Sequence, residues 1–365
     1  MSARFLTVVL ERAFNMRDGF GREIDYMRIS VIDSCNLNCY YCNPCDNNEH
    51  CHALNILSVK EVLCIVRAAT RLGIKHFRLT GGEPLLHPQL DEMVLQIKKI
   101  PGVSSVSLTT NAVLLAQHAK WLKEAGIDSI NVSLDTIDAS EYERITKKPL
   151  LEEVKHGINA AIECGIRVKI NVVLTPQTDV VALTRYVAKK GTDIRFIEMM
   201  PVGEGHTNGV EPYKKVIGTL SKLYGEPCRI NTEKTKEINS GNDKRKIPDN
   251  GPAEYYIFPE LGIRVGLIQA IHGKFCDTCN RIRVTADGRL MPCLGSSVTM
   301  DLVPDSCEFT DDLEKDFVIV QALKAAIKAK PRCHNFNDNT VAYTKATETK
   351  AAEVNAARNM SRIGG

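Results

Sequence analysis

The stretch YMRISVIDSCNLNCYYC, residues 26–42, joins an apolar run that predicts a β-strand at 26–32 to three closely spaced cysteines. The cysteines are Cys35, Cys39 and Cys42, and the loop that carries them follows the strand directly. Three thiolates on a cubane 4Fe–4S cluster leave one iron without a protein ligand. The stretch therefore predicts a cluster with an open iron, to which the amino and carboxylate groups of a methionine could bind.

Structural zinc or redox-active thiols are the alternative for this cysteine group. Zinc sites usually close with four protein ligands, often arranged as two pairs. Cys45, His50, Cys51 or His52 could supply a fourth ligand nearby in the sequence. From the spacing alone, the zinc alternative stays open.

Composition restricts the class of protein. The chain has 365 residues, enough for one large domain with an appendage or for two domains, and its net charge of +3 is not gathered into a block of like charges. We therefore expect no nucleic-acid or membrane partner. The sequence contains no secretory signal and no run approaching the about 20 apolar residues of a membrane helix, so we expect a cytoplasmic protein.

Thirteen cysteines are unusual in a reducing compartment, where disulfides are rare and clustered cysteines favour metal or catalytic use. A second group has the spacing C-x2-C-x13-C and consists of Cys276, Cys279 and Cys293. Its spacing supports equally an iron–sulfur cluster and a zinc ribbon with His272 or Cys307 as fourth ligand. The seven scattered cysteines are expected to be mostly buried or incidental thiols.

A strand–turn–helix pattern repeats between residues 26 and 200, which indicates βαβ units around a parallel sheet. Strands are predicted at 26–32, 76–80, 104–109, 129–134, 167–174 and 194–199. Six strands are fewer than the eight of a complete (β/α) barrel, so the predicted fold class is α/β, with an incomplete, open (β/α)6-type barrel. Ser58, with Glu61 as its capping-box partner, is predicted to begin the first helix.

The character of the sequence changes after residue 200. A polar loop is predicted at 233–252, short strands at 254–258, 262–267 and 281–285, a helix at 312–328, and a weakly helical segment at 344–361. We therefore divide the chain into a partial barrel with the first cysteine group, 1–205, and a smaller α+β C-terminal domain with the second, 206–365.

The first cysteine group, with Tyr41 before its third cysteine, resembles the signature of the radical S-adenosylmethionine (SAM) superfamily. Gly81-Gly82-Glu83-Pro84, after the second strand, resembles the glycine-rich motif that supports the methionine amino group in that superfamily. Both motifs stand in the superfamily's order within a βα series. The resemblance implies that the first cluster binds SAM.

The second cysteine group resembles one family within this superfamily, the GTP 3′,8-cyclases of molybdenum cofactor biosynthesis. The match is carried by Phe275-Cys276-Asp277-Thr278-Cys279-Asn280-Arg281-Ile282-Arg283. Further matching stretches, which extend the resemblance from residue 19 to 365, lie at 20–22, 26–30, 77–80, 108–111, 131–136, 195–200 and 358–365. The resemblance therefore covers nearly the whole chain.

The sequence departs from the family pattern at several places. Ser34 stands where the family usually has an arginine, Asn43 where it has a methionine, and Ala112 where it has a glycine. The segment 45–56 is unlike the family and holds two extra cysteines and two histidines. These departures bear on substrate affinity more than on reaction type.

The resemblance implies a lyase-class radical enzyme with two 4Fe–4S clusters and SAM. A 5′-deoxyadenosyl radical would take hydrogen from C3′ of GTP, and the resulting carbon radical would attack C8 of the guanine. The product would be (8S)-3′,8-cyclo-7,8-dihydroguanosine 5′-triphosphate, in the first step of molybdenum cofactor biosynthesis. The open iron of the second cluster would hold the edge of the guanine.

The resemblance also assigns site residues, and arginine suits phosphate because its planar fork makes paired hydrogen bonds. The residues expected to bind GTP are Arg28, Arg78, Thr109, Lys169, Arg195, Arg281, Ile282 and Arg283. Those expected to bind SAM are Tyr41, Gly82, Ser133 and Met200. Gly364 and Gly365 at the terminus, with Arg281 and Arg283, are expected to assist catalysis.

The family's partners would be an external electron donor, cyclic pyranopterin monophosphate synthase as the next enzyme, and a second copy in a homodimer. Two other functions remain open. A radical SAM peptide-modifying enzyme with an auxiliary cluster usually needs more downstream cysteines than Cys307 and Cys333. A non-catalytic iron–sulfur or zinc scaffold would not need the glycine-rich turn or the set of arginines.

Overall fold

The predicted series of strand–helix units is confirmed in the computed structural model, which describes residues 16–42, 55–202, 209–230, 251–296, 298–302, 312–334 and 336. The strands are β1 (Tyr26–Ser30), β2 (His76–Thr80), β3 (Ser105–Thr110), β4 (Ser129–Ser133), β5 (Val168–Val173) and β6 (Asp193–Ile197). The helices are α1 (Val59–Arg71), α2 (Leu90–Lys98), α3 (Leu115–Glu124), α4 (Ala139–Thr146), α5 (Leu151–Glu163) and α6 (Val180–Lys189). Helix α4 was not predicted, because it is short and polar.

The C-terminal part of the chain adds six further strands and two helices among the described residues. They are α7 (Gly218–Tyr224, preceded by a π-helical turn Tyr213–Ile217), β7 (Cys228–Ile230), β8 (Glu254–Ile257), β9 (Arg264–Ile268), β10 (Arg281–Val284), β11 (Arg289–Met291), β12 (Met300–Asp301) and α8 (Asp312–Lys328). Most of the predicted loop 233–252 and all of 344–361 lie outside the described residues.

One 12-stranded sheet contains all of these strands, in the order β12-β11-β10-β1-β2-β3-β4-β5-β6-β9-β8-β7. Strand β10 pairs parallel with β1, and β9 pairs parallel with β6, so the C-terminal strands extend both edges of the six-stranded series. Among the described strands, β12 and β7 form the two edges and do not pair with each other, which confirms an open partial barrel. The division of the chain near residue 205 stays a prediction.

The local signals explain where the elements begin and which faces they bury. Ser58 Oγ accepts a hydrogen bond from the Glu61 amide at 3.3 Å, and Glu61 returns one from the Ser58 amide at 2.8 Å, which confirms the predicted capping box at the start of α1. Along β1, Met27 and Ile29 are completely buried in the core, whereas Arg28 faces the opposite side. No helix in the described ranges is long and apolar enough to cross a bilayer.

Ala112, which stands where the family has a glycine, has a φ of 66° and is buried. A side chain with a β-carbon is disfavoured in this region by about 1–2 kcal/mol. We expect Ala112→Gly to raise the free energy of unfolding by up to about 1 kcal/mol, since glycine's greater chain entropy offsets part of the relief.

The same substitution at Ala119, which is buried within α3, supplies the control. There the backbone is helical, and Ala119→Gly should lower the free energy of unfolding by about 1 kcal/mol. Chemical denaturation of both variants measures the difference. A loss of equal size at the two positions would contradict the strain assigned to Ala112.

Candidate active site

A cavity of about 710 Å³ opens on the inner face of the sheet and is lined by all six clustered cysteines. The two groups, which are more than two hundred residues apart in the sequence, therefore face one space. The predicted residues that also line this cavity are Arg28, Tyr41, Arg78, Gly82, Thr109, Ser133, Lys169, Met200, Arg195, Arg281 and Arg283.

Three predicted residues are not among those that line the cavity in the described part of the chain. The Ile282 side chain is only 1% exposed and does not line the cavity, because alternate residues of β10 face opposite sides of the sheet. Gly364 and Gly365 lie outside the described residues.

The glycine-rich turn after β2 lies directly against the loop that carries the first cysteine group. The Gly82 amide donates to Ile32 O at 2.7 Å, and the Glu83 amide donates to Ser34 O at 2.8 Å. A β-carbon built on Gly82 would lie 2.1 Å from Ser34 O. The turn therefore needs glycine because its backbone touches the backbone of the cysteine loop.

The carboxylate of Glu83 is buried and ties the same turn to the end of β3. It accepts hydrogen bonds from Thr110 Oγ1 at 2.7 Å, from the Asn111 amide at 2.7 Å and from the Leu85 amide at 3.0 Å. Burial raises the pKa of Glu83 to about 7. Asn111 in turn donates to Asn36 Oδ1 at 2.7 Å within the cysteine loop. Gly82 lines the cavity while Glu83 positions the turn behind it.

The close approach at Gly82 leads to a prediction about the first cysteine group. Gly82→Ala should displace Ser34 and the cysteine loop, so that the chain loses the first cluster and its iron content falls by about four per chain. Iron analysis after anaerobic reconstitution measures this. Gly218→Ala is the matched control, because no atom lies within 4 Å of a β-carbon built there. A full iron content in Gly82→Ala would contradict the prediction.

Tyr41 is held in the first cysteine loop by a residue that was not predicted. Its hydroxyl donates to Asp135 Oδ2 at 2.5 Å, and Asp135 Oδ1 accepts from the Val173 amide at 2.7 Å. Burial raises the pKa of Asp135 to about 6 and that of Cys35 to about 11. Asp135 lies in the matching stretch 131–136, which was the available sequence signal.

The second cysteine loop is held by Arg22, which is 8% exposed. Its guanidinium donates to Cys276 O at 2.7 Å, to Arg332 O at 2.9 Å and to Pro331 O at 2.6 Å. Asp18 Oδ2 accepts from Arg22 Nε at 2.6 Å. The match at 20–22 thus marks a residue that fixes the loop rather than one that lines the cavity.

Glu198, which directly follows β6, binds the segment that precedes the same loop in the sequence. Its buried carboxylate accepts a hydrogen bond from the Ile271 amide at 2.7 Å and also contacts the His272 ring. The His334 ring contacts Ala270 O at 2.8 Å. The segment before Cys276 is therefore held by β6 and by the C-terminal segment together.

Three arginines face one another across adjacent strands. Arg283 on β10, Arg28 on β1 and Arg78 on β2 occupy matching positions in the parallel register. The pKa of Arg28 is lowered well below its usual range, mainly by burial and secondly by the charge of Arg283. The pKa of Arg283 is lowered to about 10, mainly by burial and secondly by the charge of Arg281. Facing like charges destabilise a sheet, so this arrangement suits a ligand with several negative charges.

Further polar side chains continue around the inner face of the sheet. Tyr26 Oη accepts from Arg78 Nε at 2.5 Å, and Arg195 Nε donates to Asn171 Oδ1 at 3.0 Å. The Lys169 ammonium lies 6.0 Å from the centre of the Tyr255 ring. Tyr26 and Asn171 were not predicted, and both line the cavity.

The zinc alternatives stay open in the described part of the chain. There, no group of three or more His, Cys, Asp or Glu side chains is arranged to hold a metal ion, and this finding does not distinguish zinc from an iron–sulfur cluster at either cysteine group. The nearby alternative ligands of the first group, in 43–54, and Cys307 all lie outside the described residues.

Two family models match consecutive segments of the chain. The radical SAM superfamily matches residues 29–182, and Molybdenum Cofactor Synthesis C matches residues 192–336. Each matched segment contains one of the two cysteine groups. The architecture and the first cysteine loop are those of the radical SAM superfamily.

Several proteins with similar sequences belong to one family within this superfamily. The GTP 3′,8-cyclase of Clostridium perfringens (strain SM101 / Type A) is 36% identical over 324 residues, covering 88% of this chain and 95% of that protein. The GTP 3′,8-cyclase of Petrotoga mobilis is 34% identical over 357 residues, covering 96% of this chain and 100% of that protein. The GTP 3′,8-cyclase of Listeria monocytogenes serovar 1/2a is 35% identical over 354 residues, covering 96% of this chain and 99% of that protein.

The chain belongs to the GTP 3′,8-cyclase family, as this extent of identity shows. Membership implies an iron–sulfur cluster and SAM. Among solved structures, Streptococcus suis SuiB bound to S-adenosylmethionine has a TM-score of 0.54 over 82% of this chain and 65% of that chain, at 15% identity. A likeness at this identity supports the fold and not the substrate.

Proposed function

We propose that this chain converts GTP to (8S)-3′,8-cyclo-7,8-dihydroguanosine 5′-triphosphate, the first step of molybdenum cofactor biosynthesis. The observation that supports it best is that two three-cysteine loops and a row of arginines face one cavity. A peptide substrate would not call for three facing cations. A non-catalytic scaffold would need neither the cations nor the tight contact at Gly82.

The first cysteine loop fits a cluster with an open iron. Cys35, Cys39 and Cys42 supply three thiol donors at the wall of the cavity, and Tyr41 and Gly82 lie beside them. We propose that these two residues, with Ser133 and Met200, hold SAM. When bound, cluster and SAM supply the 5′-deoxyadenosyl radical that takes hydrogen from C3′ of GTP. The surrounding chain fixes the distance and excludes water.

The second cysteine loop fits a second 4Fe–4S cluster. Cys276, Cys279 and Cys293 line the same cavity as the first group, together with Arg281. Burial alone would raise the pKa of Cys279, but Lys330 and Arg281 outweigh it and leave that pKa below its usual value. A lowered pKa favours the thiolate that binds iron. We propose that this site orients the guanine.

The arginine row would hold the triphosphate. Guanidinium groups bind phosphate oxygens in pairs, and those of Arg28, Arg78 and Arg283 occupy adjacent strands. Thr109, Lys169, Arg195 and Arg281 would complete the contacts, and the backbone of Ile282 lies between two of the arginines. Their combined charge would fix C3′ of the ribose near the SAM side of the cavity.

Gly364 and Gly365 are proposed to assist the radical step from the terminus. Two glycines can enter a narrow space that a β-carbon would block, and a carboxylate is attracted to the cations of the cavity. Deleting both should leave clusters and GTP affinity nearly intact but collapse cyclisation. Product formation by the truncated chain, with and without a peptide that restores the tail, measures this. Full activity of the truncated chain would contradict the proposal.

The proposed reaction also defines the partners. An external donor must supply the electron that cleaves SAM, and the next enzyme, cyclic pyranopterin monophosphate synthase, would use the product. A homodimer is proposed on the family resemblance, and the cytoplasmic location stays a prediction.

Anaerobic reconstitution with iron and sulfide tests the proposed function. We expect about eight irons per chain in two clusters, and 5′-deoxyadenosine formation that depends on GTP. Mass analysis of the product should show the cyclised triphosphate. Zinc at the second cysteine group in chain purified without oxygen, or SAM cleavage that is indifferent to GTP, would overturn the proposal.

A further inference from the structure

A buried lysine bridges the two halves of the second cysteine group. Lys330 follows α8, is 3% exposed and lines the cavity. Its ammonium donates to Arg281 O at 2.7 Å and to Pro292 O at 2.9 Å. The first carbonyl lies two residues after Cys279, and the second lies one residue before Cys293.

The same ammonium also reaches the thiol of Cys279. The two side chains lie within hydrogen-bonding reach of each other. An ammonium has three donors, and these three acceptors use all of them. No carboxylate forms an ion pair with Lys330 within the described ranges. A buried cation with only carbonyl and thiol partners is costly unless a negative group lies beside it.

We propose that Lys330 is a positioning residue that neutralises the second cysteine group and sets the reduction potential of the cluster held there. This inference rests on the proposed second cluster. Three thiolates on a 4Fe–4S core give a negative site, and reduction adds one more negative charge. A fixed cation beside a thiolate stabilises the reduced form, because net charge and hydrogen bonds to the sulfurs set such potentials.

The geometry gives Lys330 a second effect on the same site. Because one side chain binds the backbone beside Cys279 and the backbone beside Cys293, it fixes the separation of the two loops. Removing the ammonium would leave two carbonyls unsatisfied and three thiolates less well neutralised. The cluster should then be held less firmly as well as being harder to reduce.

The test uses the full-length chain with Cys39→Ala, so that the second cluster is observed alone. Lys330→Met removes the charge, Lys330→Gln removes the charge but keeps a donor, and Lys330→Arg keeps the charge. Lys328→Met is the matched control, because Lys328 is exposed and only two residues away. The readouts are the reduction potential from a titration followed by electron paramagnetic resonance, the rate of iron removal by a chelator, and thermal unfolding.

We expect Lys330→Met and Lys330→Gln to shift the potential to more negative values and to lose iron several-fold faster than Lys328→Met. Lys330→Arg should stay near the control in both readouts. If Lys330→Met does not fold, Lys330→Gln carries the comparison. Equal potentials and equal iron loss in Lys330→Gln and Lys328→Met would overturn the role of Lys330 while leaving the second cluster intact. Absence of iron in the Cys39→Ala chain itself would overturn the proposed cluster and this inference together.

Discussion

Cys39→Ala is expected to abolish SAM cleavage while the iron at the second cysteine group remains. Cys39 lines the cavity in the loop that the Gly82 turn holds, and burial raises its pKa above the usual value. Its place beside Cys35 and Cys42 in the wall of the cavity, rather than its pKa, supports metal binding. With two thiolates left, the cluster that binds SAM would not be retained.

The measurement is 5′-deoxyadenosine formation together with iron content, which should fall from about eight to about four per chain. Cys228→Ala is the control, because Cys228 is exposed on β7 and away from the cavity. Cys45→Ala tests the three-ligand assignment. If it prevents cluster assembly as completely as Cys39→Ala, the first group has a fourth protein ligand and its iron is not open.

Arg28→Met is expected to weaken GTP binding and, at the same time, to stabilise the chain without GTP. Losing one charge-assisted hydrogen bond costs about 1.5–3 kcal/mol, or roughly a ten- to hundredfold loss of affinity. In the chain without ligand, however, the lowered pKa of Arg28 means that burial and Arg283 oppose its charge. A group whose charged form is disfavoured in the folded state reduces stability at neutral pH.

The expected loss of GTP affinity and the expected gain in stability are measured independently. Equilibrium binding of GTP should become weaker, while the midpoint of chemical denaturation should rise. Arg289→Met is the control, since Arg289 is exposed on β11 and pairs with Asp287 and Asp301. A fall in stability for Arg28→Met would show that the chain itself neutralises this arginine, and the case for a polyanionic ligand in the row would weaken.

The sequence predicted the parts of the fold that depend on local patterns. Six strands, the capping box of α1 and the order of the two cysteine groups follow from periodicity and spacing, and the structure has them. Helix α4 has a cap of its own, in which Asp138 accepts from the Glu141 amide at 2.8 Å. The cap and the eight polar and apolar residues after it did not distinguish a short helix from a polar loop in the sequence.

The parts that were missed depend on contacts between distant segments. The pairing of β9 and β10 with opposite edges of the series has no local signature, because the sequence predicts both only as short strands without partners. The positions of Arg22 and Lys330 were missed for the same reason, since each binds backbone carbonyls that no spacing reveals. For the predicted binding residues other than Ile282, the structure shows a shared cavity, and their individual roles stay predictions.

The pairing of β1 with β10 has a consequence for synthesis on the ribosome. Asp25 and Asn280, which are 255 residues apart, are hydrogen-bonded at 2.7 Å where these strands begin. Strand β1 is made early, yet its free edge finds its partner only after most of the chain has been translated. Until then the growing polypeptide presents unpaired backbone at both margins of the sheet, which is a template for aggregation. Within the matched segment 29–182 alone, the edge of β1 that pairs with β10 would have no partner strand, and the cysteines of the second loop are made only in the final third of translation.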